Sequence, residues 1–129
     1  MPNQDDVRRL ALSLPETSED PSGFRFFVKG KQFAWSWMER AAPKAPRIPN
    51  RDVIAVRVAN QLEKQSLLAL DPAKIFTEPH YNGYPAVLVR LSAIDPDLLE
   101  DLLTDAWRCR APKRLAAQLD RSRKALLQV

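Results

Sequence analysis

Two groups of basic side chains are the residues whose type and spacing best suit binding chemistry in this chain of 129 residues. The first group lies at a predicted hairpin turn and consists of Lys29 and Lys31. The second surrounds a proline between two predicted helices and consists of Arg108, Arg110, Lys113 and Arg114. Lysine and arginine neutralise phosphates, so the two groups are candidates for binding a polyanion if they share one surface.

Charge is distributed unevenly along the chain, which carries a net charge of +4 at pH 7. Counting Lys and Arg against Asp and Glu gives −3 for residues 1–23, +6 for 24–60, −5 for 61–106 and +6 for 107–129. The two candidate groups fall in the two basic segments. This asymmetry is compatible with polyanion binding, and equally with a surface that serves only solubility.

Nucleophilic catalysis is poorly supported by the residues that would have to perform it. The one histidine, His80, lies in a predicted turn with no serine or cysteine near it in sequence, although a nucleophile normally needs such a base. The one cysteine, Cys109, lies on the apolar face of a predicted helix, where burial as a small hydrophobic residue is favoured. Arg108 and Arg110 would lower the pKa of this thiol only if it were exposed. We therefore expect no enzymatic activity and no catalytic residue.

Metal and cofactor sites are not predicted either. One histidine and one cysteine, far apart in sequence, supply too few ligands for zinc. The acidic residues near the start of a predicted helix suit the positive end of its dipole. They are Asp95, Asp97, Glu100, Asp101 and Asp105. The three glycines of the chain form neither a G-x-G-x-x-G motif nor a P-loop.

Residues 24–37 predict a hairpin that places Lys29 and Lys31 at its tip. A type II′ turn at residues 30–31 would bring six apolar side chains onto one sheet face, because the side-chain period of a strand is two. The predicted pairs are Val28 with Phe33, Phe26 with Trp35, and Phe24 with Trp37. Because half-buried antiparallel strands have this pattern, core packing is favoured over a platform for stacking bases.

The remaining elements of the N-terminal half follow from capping and periodicity. Asn3 caps a helix that Pro15 stops. Residues 16–23 predict a loop, and the proline-rich residues 41–50 predict a mobile connection rather than a strand. A third strand follows over residues 52–58.

The C-terminal half predicts one further hairpin and three helices. Asn60 begins a helix that ends near residue 70. Residues 75–90 predict an irregular edge hairpin with a type I′ turn at Asn82 and Gly83. Asp95 caps a long helix, and Pro112 begins a short last one. The predicted order is α-β-β-β-α-β-β-α-α, an α+β fold in two layers with an antiparallel sheet.

Length and composition indicate one domain, which we place at residues 1–120, followed by a basic tail at 121–129 that frays from Arg121. A single cysteine is typical of a reducing cytoplasm. No apolar run approaches the ~20 residues that span a bilayer, and the N-terminus has no apolar segment of a signal peptide. We therefore expect a cytoplasmic protein with no membrane partner.

Several short motifs, taken in order, resemble the MmcQ/YjbR family of small bacterial proteins. The matching residues are 14–16, 26–31 with 33–34, 70–72 with Phe76, and 105–108 with 111–115. The resemblance spans roughly residues 4 to 119. It implies a "double wing" α+β fold, and such proteins are often labelled DNA-binding. Two segments depart from the family pattern, namely the longer loop at 41–50 and a turn at 80–84 that lacks the expected basic or tryptophan residues.

Two functions therefore stand as hypotheses. The first is weak, largely sequence-independent DNA binding by a domain that is not an enzyme, through the hairpin tip and the helix junction. The second is a protein-interaction or chaperone-like module that binds a partner protein or a second copy of the chain, with the irregular hairpin as the docking edge. Arg108 and Lys113 can also pair with acidic residues or with helix C-terminal carbonyls.

Overall fold

In a computed structural model, the described residues are 2–20, 23–40 and 43–127, and they form one antiparallel sheet with four α-helices. The strands are β1 (Thr17–Asp20), β2 (Arg25–Val28), β3 (Lys31–Arg40), β4 (Arg47–Arg57), β5 (Ile75–Phe76) and β6 (Ala86–Arg90). The helices are α1 (Gln4–Leu12), α2 (Gln61–Leu68), α3 (Pro96–Arg110) and α4 (Lys113–Leu127). The six-stranded sheet has the order β1-β2-β3-β4-β6-β5. The α+β class is confirmed.

The main hydrophobic core lies between one face of the sheet and the helices. Apolar residues of α1, α3 and the start of α4 pack against alternate residues of the strands. Trp107 of α3 is completely buried in this core, and its indole Nε1 donates to the carbonyl oxygen of Pro15 at 3.0 Å. That bond ties α3 to the end of α1, and it satisfies the only polar atom of the ring. The prediction that Trp107 packs is confirmed.

The first hairpin differs from its predicted register. Val28 pairs with Lys31, so the turn residues are Lys29 and Gly30, and both have positive φ, +49° and +78°. This is the backbone of a type I′ turn rather than type II′, and its twist matches that of the flanking strands. The turn therefore lies one residue earlier than predicted, with Lys29 in the turn and Lys31 at the start of β3.

A β-bulge next to this turn separates the six predicted apolar partners. Phe26 pairs with Ala34 and Phe27 with Gln32, so Phe33 is an extra residue on β3. An extra residue reverses the side-chain alternation that follows it. Phe24, Phe26, Val28 and Phe33 therefore enter the main core, whereas Trp35 and Trp37 pack on the opposite sheet face. The prediction that all six share one face is wrong.

Two segments predicted to lack strands contribute to the sheet. Part of the expected loop at 16–23 forms β1, where Arg8 of α1 donates to both carboxylate oxygens of Glu19 at 2.9 and 3.1 Å. Part of the expected connection at 41–50 forms the start of β4, in which Pro49 pairs with Met38. β6 pairs only with residues 53–57 of β4, so Pro49 lies in a stretch of β4 that β6 does not reach. Proline is tolerated there because this stretch has a neighbouring strand on one side only. Residues 41–42 lie outside the described residues.

The second hairpin has the predicted edge position but a different type of turn from the one predicted. β5 is the edge strand that was predicted. The turn at Asn82 and Gly83 has φ −60° and +81°, and Tyr84 N–H donates to the Tyr81 carbonyl, which describes type II rather than type I′.

Asp95 precedes α3 without capping it through its side chain, which lies 3.6 Å from Lys74 Nζ instead. Helix α4 continues to residue 127, so the last helix is longer than predicted; its sequence there is rich in helix-forming residues.

The Trp107–Pro15 bond can be tested by Trp107→Phe, which keeps an aromatic ring and removes the donor. The Pro15 carbonyl loses its buried partner, and we expect the free energy of unfolding to fall by about 1–3 kcal/mol. Urea denaturation measures it. Trp37→Phe is the control, since no hydrogen bond of the Trp37 indole is found among the described residues. Equal losses for the two variants would contradict a structural role for the bond.

Candidate functional site

The hairpin-tip lysines differ in their availability. Lys29 Nζ lies 3.5 Å from the Glu16 carboxylate, so part of its charge is compensated within the domain. Lys31 is exposed, and no ion pair of its ammonium is found among the residues that the structure describes. Exposed ion pairs contribute little to stability and exchange readily, so the Lys29 contact does not prevent binding to a phosphate.

At the helix junction, Arg108 is committed to an internal contact. Its guanidinium lies 2.5 Å from Asp120 of α4, and this hydrogen bond raises the pKa of Arg108 further. Of the two roles predicted for Arg108, the structure shows pairing with an acid. The contact joins α3 to α4 across the Pro112 turn.

Three other basic residues of the junction remain available. Lys113 and Arg114 are exposed at the start of α4, and neither forms an ion pair within the described part of the chain. Arg110 is half-buried, and its Nε is buried without a hydrogen-bond partner among the described residues. No described acid compensates these three charges directly.

A short chain of contacts connects the two basic groups. Lys29 Nζ contacts Glu16, the neighbouring Pro15 carbonyl accepts from Trp107 Nε1, and Trp107 lies three residues before Arg110 on α3. Ala34 of β3 pairs with Val56 of β4, so the hairpin turn before β3 lies at the end of the sheet where β4 ends. Arg108 and Cys109 line a concavity with Ala59 and Glu63, which follow β4, so the C-terminal end of α3 also faces that end of the sheet. We call Lys29, Lys31, Arg110, Lys113 and Arg114 the basic end.

The opposite face of the sheet carries an aromatic cleft that sequence reasoning did not assign. Two adjoining concavities of about 400 and about 250 Å³ share Gln32, Trp35 and Tyr81. The larger is also lined by Arg25, Trp37, Met38 and Arg47, and the smaller by Tyr84. We call this surface the aromatic cleft. The signal in the sequence was Trp35 and Trp37 themselves, but the wrong register placed them in the core.

The tryptophan rings of the cleft meet the tyrosine rings at steep angles. Trp37 lies 5.2 Å from Tyr81 at an interplanar angle of 76°, and Trp35 lies 6.3 Å from Tyr84 at 74°, measured between ring centroids. Trp35 Nε1 donates to the Tyr81 hydroxyl at 2.8 Å, and burial raises the pKa of that phenol. Edge-to-face contacts do not build a closed stack of parallel rings. The rings therefore leave open concavities between them.

A buried lysine holds the loop that supplies the two tyrosines. Lys64 of α2 is only 2% exposed, and its Nζ donates to the carbonyl oxygens of Tyr81 and Tyr84 at 2.6 and 2.7 Å. Burial lowers the pKa of this amine. The sequence showed only a polar residue in a predicted helix, and no local signal indicated a role in the loop 17–20 residues away.

Cys109 and His80 are the two residues that were weighed for nucleophilic catalysis. Cys109 is half-buried beside Glu63, Asp105 and Arg108, and burial is the main reason that the pKa of its thiol is raised. His80 contributes its backbone to the 3₁₀ turn Pro79–Tyr81, and its side chain lies outside the described residues. Within the described ranges, no cluster of three or more histidine, cysteine or acidic residues is placed to hold a metal ion. No helix in the described part of the chain is long and apolar enough to cross a membrane.

Comparison with known proteins places the chain in a family. The YjbR family model matches residues 12–109, well over half of the chain. The chain belongs to the YjbR family. The family resemblance seen in the sequence is thereby confirmed. The matched range contains the whole aromatic cleft and the hairpin tip, but it ends before Arg110, Lys113 and Arg114.

Relatives within the family carry no assigned function. The uncharacterized proteins Rv2570 of Mycobacterium tuberculosis and Mb2600 of Mycobacterium bovis are each 42% identical to this chain over 125 residues, covering 89% of it and 93% of theirs. The crystal structure of the DUF419-domain protein DR2400 of Deinococcus radiodurans is similar, with a TM-score of 0.60 and 22% identity over 83% of this chain and 77% of that one. This structural likeness shows the fold alone.

The raised pKa of Cys109 predicts that its thiol reacts slowly with alkylating reagents. At pH 8 its thiolate fraction is smaller than in an unfolded chain, because the folded pKa lies above the ordinary value. Alkylation by iodoacetamide should therefore be slower in the native protein than in urea and should accelerate at a higher pH. A native pH profile shifted below that of the unfolded chain would contradict this assignment.

Lys64→Met tests the attachment of the tyrosine loop. The variant leaves two buried carbonyls without their donor, and we expect the free energy of unfolding to fall by about 1–3 kcal/mol. Lys113→Met makes the same chemical change at an exposed helical position and should alter it by less than about 0.5 kcal/mol. Urea denaturation compares them, and similar values would show that Lys64 does not anchor the loop.

Proposed function

We propose that this chain is a nucleic-acid-binding domain without enzymatic activity, which contacts DNA phosphates through the basic end. The observation that supports it is the contact chain from Lys29 through Glu16 and Pro15 to Trp107, which links the hairpin turn to helix α3. Phosphate binding needs several positive charges on one surface rather than a particular motif.

The contribution of each basic side chain to phosphate binding depends on whether it forms an ion pair within the domain. Lys31, Lys113 and Arg114 are exposed and have no ion pair in the described part of the chain, so they supply most of the affinity. Lys29 exchanges Glu16 for a phosphate. Arg108 instead positions α4 through Asp120 and makes no phosphate contact in this proposal.

The binding is weak and largely independent of sequence. Base readout requires side chains that enter a groove and bond to base edges. The start of α4 presents Lys113 and Arg114, whose long, flexible side chains suit backbone contact. The proposed module therefore recognises charge and backbone geometry.

A docking module for another protein has less support. That hypothesis used the second hairpin as an edge for strand addition. Its edge strand, β5, has only two residues, Ile75 and Phe76, and so offers few backbone groups for pairing. Short edge strands are one way in which proteins avoid such pairing.

Titration of a labelled duplex at several salt concentrations tests DNA binding. With three or four phosphates neutralised, log K should fall with log salt at a slope of about −3 to −4. The double variant Lys113→Gln/Arg114→Gln should weaken binding at every sequence and reduce the slope by about 2. Fluorescence anisotropy measures both quantities.

The matched control is Arg9→Gln/Lys44→Gln, which removes the same charge at two exposed positions outside the basic end. This control should keep the slope of the unmodified protein. An equal effect of both double variants would show that only net charge matters, and absence of binding at low salt would refute the proposal.

A further inference from the structure

The aromatic cleft is a second surface, separate from the basic end. It lies on the sheet face opposite the main core, whereas α3 and α4 pack on the core face. Its Trp35, Trp37 and Tyr81 cover Val53, Ala55 and Leu88, which are already 3% exposed or less. Met38 and Tyr84 of the cleft lining remain 38% and 43% exposed, so apolar and aromatic surface is available there for a ligand.

The composition of the cleft points to a planar, anionic ligand. Trp35, Trp37 and Tyr84 offer aromatic surface, and Tyr84 is 43% exposed. Arg25 and Arg47 line the larger concavity, whose described lining contains no acidic residue. Arg25 is held by Asp20. Arg47 is exposed and has no ion pair among the described residues, so it is the principal cation of the cleft.

We propose that the aromatic cleft binds single-stranded nucleic acid, with unpaired bases stacked on Trp37 and Tyr84 and the backbone phosphates contacting Arg47. Proteins that bind single strands combine aromatic platforms with a positively charged groove in this way. The two adjoining concavities allow successive bases to occupy neighbouring positions along the sheet. A duplex cannot use the platform, because its bases are already stacked and paired.

The other occupants fit the surface less well. A second copy of the chain would bring the same arginines face to face across a symmetric interface. A proline-rich peptide suits an aromatic groove, but it carries no charge for Arg47. Arg57 adds a further cation at this side of the sheet, with its guanidinium 5.5 Å from the Tyr84 ring centroid. Charge complementarity with Arg47 and Arg57 therefore favours a nucleic acid over a second copy of the chain or a proline-rich peptide.

The positions of the three tryptophans provide a direct readout. Trp35 and Trp37 lie in the cleft, while Trp107 is completely buried on the other side of the sheet. Stacking of bases should quench the emission of the cleft tryptophans and leave that of Trp107. Titration with labelled oligothymidine of about 12 nucleotides, within the range of known site sizes, gives affinity by anisotropy and contact by quenching.

Matched variants separate stacking from charge. Trp37→Ala should weaken binding about tenfold or more, whereas Trp37→Phe, which keeps a ring, should stay within about threefold of the unmodified protein. Arg47→Gln should reduce the salt slope by about 0.7, the value for one phosphate of a single strand. Tyr84→Ala, at an exposed ring, repeats the stacking test if Trp37→Ala shows an altered circular dichroism spectrum.

The experiment also distinguishes this site from the basic end. Arg114→Gln should weaken duplex binding and leave oligothymidine binding within about twofold, and Trp37→Ala should do the reverse. If the protein binds oligothymidine but no duplex, only the proposed function of the basic end is refuted. Unchanged oligothymidine affinity in Trp37→Ala and Tyr84→Ala, no tryptophan quenching at low salt, or tighter Trp37-dependent binding of a proline-rich peptide would overturn the cleft proposal.

Discussion

The bulge at Phe33 divides the aromatic residues of the first hairpin between the two faces of the sheet. Before it, Phe24, Phe26 and Val28 point toward the helices, and after it, Trp35 and Trp37 point away from them. A strand has only two faces, so one extra residue is enough to exchange them. The helix-covered core and the aromatic cleft both depend on this local irregularity.

The two sheet faces are stabilised in different ways. On the helical face, α3 is buried along Leu99, Leu103 and Trp107, and apolar packing dominates. On the other face, a thin layer of rings covers three buried apolar residues, and polar contacts hold that layer in place. Lys64 reaches from α2 to the carbonyls of the tyrosine loop, and Trp35 donates to Tyr81. This layer is partly exposed, with Tyr84 at 43%.

Much of the fold was accessible from the sequence because its signals are local. Asn3 accepts from the Asp6 amide as a helix cap, and Asn60 accepts from the Glu63 amide in the same way. The apolar spacing of α3 and the hairpin tip at Gly30 were also predicted. The missed elements lack local signals: β1 reads Thr-Ser-Glu-Asp, and it is a strand because it pairs with β2 and because Glu19 binds Arg8. The candidate site was predicted only in part. Its basic residues were identified from the sequence, but the pairing of Lys29 with Glu16 and of Arg108 with Asp120 was not.

The sequence by itself determined the α+β class, the family membership, most helix boundaries and the scarcity of catalytic or metal-binding residues, because periodicity, capping and residue type are properties of neighbouring positions. Tertiary structure decided the register of the first hairpin, the commitment of Arg108 to Asp120, and the assembly of a cleft from β3 and a loop 46 residues away in sequence. These features depend on contacts between distant segments, whose energies exceed the small preferences that any single residue has for one strand face or the other.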